Sequence, residues 1–499
     1  MNHILPLIVA IPLGMAVVTL LLSKAAKRIA DFTAFLTTAV CLVLSFVLLG
    51  TTKTAYWMGG WYPPFGITLV FDGLTAMLLL IINSVGFLAT VYSLSYMEKY
   101  TAKPKYYALF LLMVAGMNGV VLTGDLFNMF VFLEIASIAS YALVGFGVEH
   151  EELEASFKYL ILGTVASTMM LLGVGLTYAM TGTVNMADAS RMLMSMPATR
   201  TMAFAAGAFI MGFSLKSGLV PFHAWLPDAH PSAPAPISAM LSGVLIKALG
   251  VYAMARVIFD VLGAQPIYLN IMITLGAISM VVGGFLAIGQ WDFKRMLAYS
   301  SISQIGYVVI ALGLGTHLGF IAGLFHMFNH SSFKSLLFLS SGSIEHSTGT
   351  KNLRRLGGLG TKLPVTSSST AVGALSISGI PPFNGFFSKM LIILACVQAQ
   401  RWVLAALAAG VSVITLVYFL KAMRYSIFGE LPKAQEKIKE VPFPMAFSLI
   451  TLSVICLGIG IAFLVSPTFG DAILKPAADV LMDGLKNNAS SYISTVLGG

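Results

Sequence analysis

The sequence predicts an all-α, polytopic membrane protein of about fourteen spanning helices, with two inverted five-helix repeats that each contain one broken helix. Three observations lead there. Of the 499 residues, 58% are hydrophobic and 10% charged, against roughly 25% charged in soluble domains, and the mean hydropathy is +0.89. Apolar runs of about 20 residues, each able to cross a hydrocarbon core of roughly 30 Å as a helix, recur from end to end with short loops between them. A short motif built around a helix-breaking proline occurs twice, in runs five apart.

In chain order the runs cover 4–22, 31–50, 68–94, 106–123, 125–147, 154–180, 201–220, 234–259, 266–290, 293–314, 316–342, 366–394, 401–425 and 444–466. The first resembles a signal peptide in length, but its basic cluster (Lys24, Lys27, Arg28) follows it and no small-residue cleavage site is evident, so a retained span is expected. Loops after odd-numbered spans hold Lys99, Lys103, Lys105, Lys294, Arg295, Lys351, Arg354, Arg355 and Lys362, plus the basic linker from Lys421 to Lys439. The opposite face carries only Lys53, Arg191, Arg200, Arg256, Arg401, Lys475 and Lys486. Positive charge collects on the cytoplasmic side, which predicts a multi-pass protein of the cell's inner (plasma) membrane with both termini non-cytoplasmic. The formal charge of +9 therefore reflects topology, and no nucleic-acid partner is expected. Cys41, Cys396 and Cys456 stand alone within apolar runs, without the close spacing of iron–sulfur or zinc ligands, so neither a cofactor nor a metal is expected.

"SGLVPFHAWL" (217–226) aligns without a gap on "SGIPPFNGFF" (378–387), pairing Ser217 with Ser378, Gly218 with Gly379, Pro221 with Pro382 and Phe222 with Phe383. These breaks fall in the seventh and twelfth runs, so the repeating unit is five spans, and an odd unit inverts between copies. The expected organisation is 1–105 (helices 1–3), 106–260 (first repeat), 261–430 (second repeat) and 431–499 (helix 14 and a short tail). Backbone freed by each proline needs protein or a water-lined cavity around it.

Ionisable residues deep in the runs are few and mostly basic. Glu134 is the acidic residue nearest a span centre; Lys216, Lys247, Lys334 and Lys389 lie similarly deep. His326 and His330 precede Lys334 at intervals of four, which puts all three on one helix face. A charge at the helix centre costs about 2.5–3.5 kcal/mol, so five would cost roughly 12–18 kcal/mol uncompensated. One carboxylate cannot neutralise four ammoniums, and taking an ammonium out of water favours its neutral form. Such groups accept and release protons, and histidines extend the relay. Lys334 reads equally as relay member or packing anchor. Lys158, near the start of its run, is expected to snorkel, and His317, Glu345 and His346 to be surface groups at helix ends. "EHEELE" (149–154) lacks the second histidine of a zinc-protease helix. The prolines around His223, Asp228 and His230 point to a rigid re-entrant connector rather than a metal site.

"PFHAWLPDAHPSAPAPISAMLSGVLIKALGVY" (221–252), "WDFKRMLAYSSISQIGY" (291–307), "NHSSFKSLLFLSSGSI" (329–344) and "SISGIPPFNGFFSKM" (376–390) resemble the antiporter-like subunits shared by respiratory complex I, energy-converting membrane hydrogenases and Mrp-type cation/proton antiporters. The length and Lys389 fit the D-type Mrp subunit. The resemblance implies that Glu134 pairs with Lys216, that Lys247 is the central lysine, that His326 and His330 bridge the repeats, and that Lys389 ends the outlet half-channel. It also implies a chain that performs no redox chemistry itself, sits in the lipid bilayer among other membrane subunits of such a complex, and moves protons, with sodium as a second candidate ion. Only about thirty residues follow the last run, enough for at most a short amphipathic helix, so the longest complex I member with its lateral helix is not expected. Two other classes fit the same features less fully: a self-sufficient secondary transporter of a small solute, and a structural scaffold whose charges only hold helices together.

Overall fold

The computed structural model describes residues 4–23, 28–49, 51–466, 468, 470–486 and 488–498; Lys24 and Lys27 of the first basic loop lie outside them. The chain is mostly helical. The first two helices, α1 (Ile4–Leu22) and α2 (Arg28–Leu49), are followed by a two-stranded antiparallel hairpin. Its strands β1 (Thr54–Trp57) and β2 (Thr68–Phe71) pair Thr54 with Phe71. The expectation of a wholly α-helical chain, with a span from residue 68, is corrected here. Thr68–Phe71 is β-branched and aromatic, favouring a strand, and Asp72 accepts from the Thr75 amide at 2.9 Å, so the next helix, α3 (Gly73–Tyr96), starts after it.

The same capping chemistry sets two later helices. After α4 (Lys103–Leu122), Asp125 accepts from the Asn128 amide at 2.7 Å and opens α5 (Leu126–Val144). Asp292 accepts from the Arg295 amide at 2.9 Å and opens α12 (Phe293–Gly313). Between them lie α6 (His150–Thr181), α7 (Met186–Met194), α8 (Arg200–Ser217), α9 (Leu226–Ser232), α10 (Ala235–Val261) and α11 (Pro266–Ile288). Then come α13 (His317–Thr348), α14 (Pro364–Ser378), α15 (Asn384–Gln398), α16 (Trp402–Ser426) and α17 (Phe443–Val465). Two further helices, α18 (Asp471–Lys486) and α19 (Ser490–Leu497), follow where one short amphipathic helix at most was expected. They pack back onto the body: Tyr492 of α19 is buried, and a Cβ at Gly484 of α18 would meet the Phe259 carbonyl at 2.7 Å.

Among the described residues, eleven helices are long and apolar enough to cross a membrane. Three predicted spans fall outside that set for reasons that belong to the site. The seventh is occupied by α8, made more polar by Arg200 and Lys216, with α9 beyond the break; the twelfth is split into α14 and α15; and α13 has 32 residues but is made polar by His326, Asn329, His330, Lys334 and a run of serines.

The two breaks close alike. α8 ends at Gly218 (φ 70°), with the Leu219 amide donating back to the Ser214 carbonyl at 3.0 Å. α14 ends at Gly379 (φ 77°), with the Ile380 amide donating to the Leu375 carbonyl at 3.1 Å. Glycine takes this left-handed conformation without a Cβ clash, which is why the helix stops there. Side chains satisfy carbonyls freed by the breaks: the Trp225 indole donates to the Leu215 carbonyl at 3.0 Å, and the Ser412 hydroxyl to the Ser378 carbonyl at 3.2 Å.

α10 is the central element, its membrane-length window wholly buried. Two glycines seven apart let its backbone wedge between neighbours. A Cβ at Gly250 would lie 2.7 Å from the Ser217 backbone nitrogen, and one at Gly243 would collide with the Ser335 hydroxyl. α10 therefore touches α8 beside Lys216 on one side and α13 beside Lys334 on the other, with Lys247 between the two contacts.

Candidate functional site

Lys216 is the penultimate residue of α8, two residues before the first break at Gly218, and is 1% exposed. Its Nζ donates to Ser137 Oγ at 2.8 Å and to Tyr141 OH at 3.0 Å; Glu134 Oε1 stands farther off at 3.8 Å. Glu134, Ser137 and Tyr141 occur at helical spacing on α5, so one face of that helix holds the ammonium. The carboxylate accepts from the Ser167 hydroxyl of α6 and retains 28% side-chain exposure. The pair is therefore made through neutral hydroxyls with the carboxylate at its edge, looser than a direct salt bridge.

Lys247 is wholly buried and faces no carboxylate. Its Nζ turns back on its own helix, donating to the carbonyls of Ser242 (2.8 Å) and Gly243 (2.5 Å). The helix is π-wound from Leu241 to Tyr252, a rare winding that is frequent at functional sites.

The α13 face carries His326, His330 and Lys334, all buried. His326 is held on both ring nitrogens, Nδ1 at 2.9 Å from Ser388 Oγ and Nε2 at 3.1 Å from Gln304 Oε1. The His330 ring lies 6.3 Å from it, with neither nitrogen hydrogen-bonded to protein. Lys334 donates to the Leu297 carbonyl at 2.7 Å and to the Ser300 hydroxyl. Beyond the second break, Lys389 on α15 is 2% exposed, donates to Ser412 Oγ at 3.3 Å and lies 5.2 Å from the Tyr307 ring. That ring is 5.7 Å from His326, and Ser388, which bonds His326, is the residue before Lys389.

The seven predicted residues thus fall into three groups: Glu134 with Lys216, Lys247 alone on α10, and His326, His330 and Lys334 leading to Lys389. Among the described residues, Lys247, Lys334 and Lys389 have no ion-pair partner, and Lys216 has one. A serine or tyrosine hydroxyl touches Lys216, Lys334 and Lys389. Such groups both donate and accept, so they can hand protons on.

Other expected placements change. Arg256, read as a loop charge, is buried near the end of α10. It grips Asp72 with two bonds (2.8 and 3.0 Å), Asp260 at 2.7 Å, and the hydroxyls of Tyr252 and Thr75. Lys53, in the loop before β1, is pushed below the ordinary lysine range by burial near this cluster, with Asp72 opposing. Lys294, also read as a loop charge, is 2% exposed and pairs with Glu345 at 2.7 Å, so Glu345 is no free surface group. Lys158 keeps its head half-exposed, paired with Glu154 at 2.8 Å and Asp228 at 3.1 Å. His317 reaches Asp479 at 3.2 Å.

A family model described as "NADH:quinone oxidoreductase/Mrp antiporter, TM" matches residues 123–415, and one described as "NADH-Ubiquinone oxidoreductase (complex I), chain 5 N-terminus" matches residues 58–107. The N subunit of the NADH-quinone oxidoreductase of Desulforudis audaxviator is 36% identical over 93% of this chain and 95% of its own. The D subunit of the Na(+)/H(+) antiporter of Alkalihalophilus pseudofirmus is 34% identical over 88% of this chain and 87% of its own. A chain in the solved Mrp complex of a Dietzia species superposes with a TM-score of 0.89 at 28% identity, covering 100% of this chain and 99% of that one. The chain belongs to the membrane-subunit family described as NADH:quinone oxidoreductase/Mrp antiporter.

Proposed function

We propose that this chain is a proton-translocating subunit, with sodium as a candidate coupling ion, of a multisubunit membrane complex of the complex I, hydrogenase or Mrp type. The observation that carries the reading is the surplus of buried amines over counter-ions: of five lysines at most 2% exposed, Lys294 pairs with Glu345 and Lys216 lies near Glu134, while Lys247, Lys334 and Lys389 have no ion-pair partner among the described residues. A charged amine so placed is costly, and release of its proton relieves the cost.

In this reading the chain has fourteen spans: α1 to α6, the split pair α8 and α9, α10 to α13, the split pair α14 and α15, then α16 and α17. Spans four to eight (106–260) form one repeat and spans nine to thirteen (261–430) its inverted copy, as the matching closures at Gly218 and Gly379 support. Protons enter from the cytoplasmic face through the first repeat to Lys216 and Lys247, cross by His326 and His330, and leave past Lys389. Both termini lie on the non-cytoplasmic side of the inner membrane. Glu134 sets the proton affinity of Lys216: a close carboxylate keeps the ammonium charged, and its withdrawal favours release. A self-sufficient transporter is disfavoured, since the relatives are named as subunits.

Glu134→Gln tests the reading, because the amide keeps the shape and the Ser167 contact but removes the charge. In the complete complex reconstituted in liposomes, with internal pH followed by a dye, proton movement is expected to fall at least about tenfold, the scale of a charge interaction worth ~1.4 kcal/mol or more. Wild-type proton movement in an assembled Glu134→Gln complex contradicts it. The proteins that co-purify distinguish the three types of assembly.

A further inference from the structure

The proton relay leaves one buried imidazole unused, and a role for it rests on that reading. His230 sits on α9, at its joint with α10, and is 0% exposed. Neither ring nitrogen has a hydrogen-bond partner among the described residues. Its ring stacks on Phe338 of α13 with centroids 4.6 Å apart, and the Lys334 ammonium lies 5.8 Å from the centroid of that same ring. On the other side, two cations pin the joint: Lys294 Nζ donates to the Ala233 carbonyl at 3.3 Å, and Lys351 Nζ to the Pro231 carbonyl at 2.9 Å. Pro231, Ala233 and Pro234 form one wall of a cavity of about 450 Å³, which Lys294, Glu345 and Lys351 also line. His230 therefore lies between a polar vestibule and a mid-membrane lysine.

A packing role does not explain this side chain. A buried polar atom left without a partner is costly, and phenylalanine would stack on Phe338 without that cost. We propose that His230 carries protons from the vestibule at Lys294 and Glu345 to Lys334, a second inlet that works only in step with the Glu134–Lys216 pair, so that loss of either stops transport. The neutral imidazole takes a proton on one ring nitrogen, the N–H bond on the other breaks as its proton passes to a bridging water, and that water gives up a proton to the uncharged Lys334 amine. One positive charge moves inward, and no other reagent is consumed. Lys334, ambiguous in the sequence, becomes the receiving group of this inlet.

The test measures proton movement and thermal stability of the reconstituted complex carrying His230→Phe or His230→Gln, beside Lys216→Ala. Both His230 variants are expected to assemble and to lose at least about tenfold in transport, with His230→Phe as stable as wild type or more so. Wild-type transport in either assembled His230 variant overturns the inlet. If neither assembles, Glu345→Gln at the vestibule carries the test: reduced transport supports the inlet and wild-type transport overturns it. Wild-type transport in an assembled Lys216→Ala complex removes the proton-relay reading itself. Lost transport there with wild-type transport in His230→Phe removes only this inlet.

Discussion

Replacing Arg256 by methionine is expected to destabilise the protein by about 3–5 kcal/mol and to deplete the assembled complex from the membrane. The guanidinium is ion-paired with two wholly buried carboxylates, Asp72 and Asp260, and two hydroxyls take its remaining donors. Methionine matches much of its length but leaves two anions facing each other without water. The damage spreads because the cluster ties distant pieces of chain together. Asp72 caps α3, Arg256 and Asp260 end α10, and the Tyr492 ring of α19 lies 5.4 Å from the guanidinium. Asp260→Asn should be far milder, since the two-bond grip on Asp72 remains. The quantities to measure are the yield and melting temperature of the purified complex, and a wild-type yield and melting temperature for Arg256→Met would refute the account of this cluster.

Lys216→Ala is expected to abolish coupled proton movement while leaving assembly largely intact. The lysine ends α8 beside the break, so truncation leaves the left-handed closure at Gly218 and the Gly250 contact in place. What disappears is the group held by Ser137 and Tyr141 that links Glu134 to the centre. Both hydroxyls can rebond within the protein, which keeps the structural cost low. Transport in liposomes and the protein composition after purification separate the two effects; lost assembly with normal transport per remaining complex is the opposite of what is expected.

Much of the architecture was legible because its causes are local. The breaks follow from glycine and proline within five residues of each other, and the α13 polar face from a spacing of four. The misreadings share a different cause. Lys294 and Arg295 are adjacent and look equivalent, yet the first is 2% exposed and the second 44% by side chain, because successive residues on a helix point about 100° apart. Lys247 and Arg256 lie on one helix, but Arg256 sits where a predicted span ended, and its main partner, Asp72, is 184 residues away. No local pattern could pair them. The strand Thr68–Phe71 was hidden by apolar continuity with α3, and Asp72 was the cue that should have divided them. The sequence groups His230 with its prolines, since only the fold reveals that its ring nitrogens have no hydrogen-bond partner among the described residues.

In the proposed function buried amines without counter-ions move protons rather than hold helices together, and Lys247 is the cleanest case because, among the described residues, only backbone carbonyls accept from it. The decisive measurement is proton flux through the fully assembled complex carrying Lys247→Met in liposomes, a change that keeps the chain's bulk and removes the titrating nitrogen. The account predicts loss of proton flux with stability retained or improved, since an uncompensated charge has gone. Wild-type flux through that complex would contradict it.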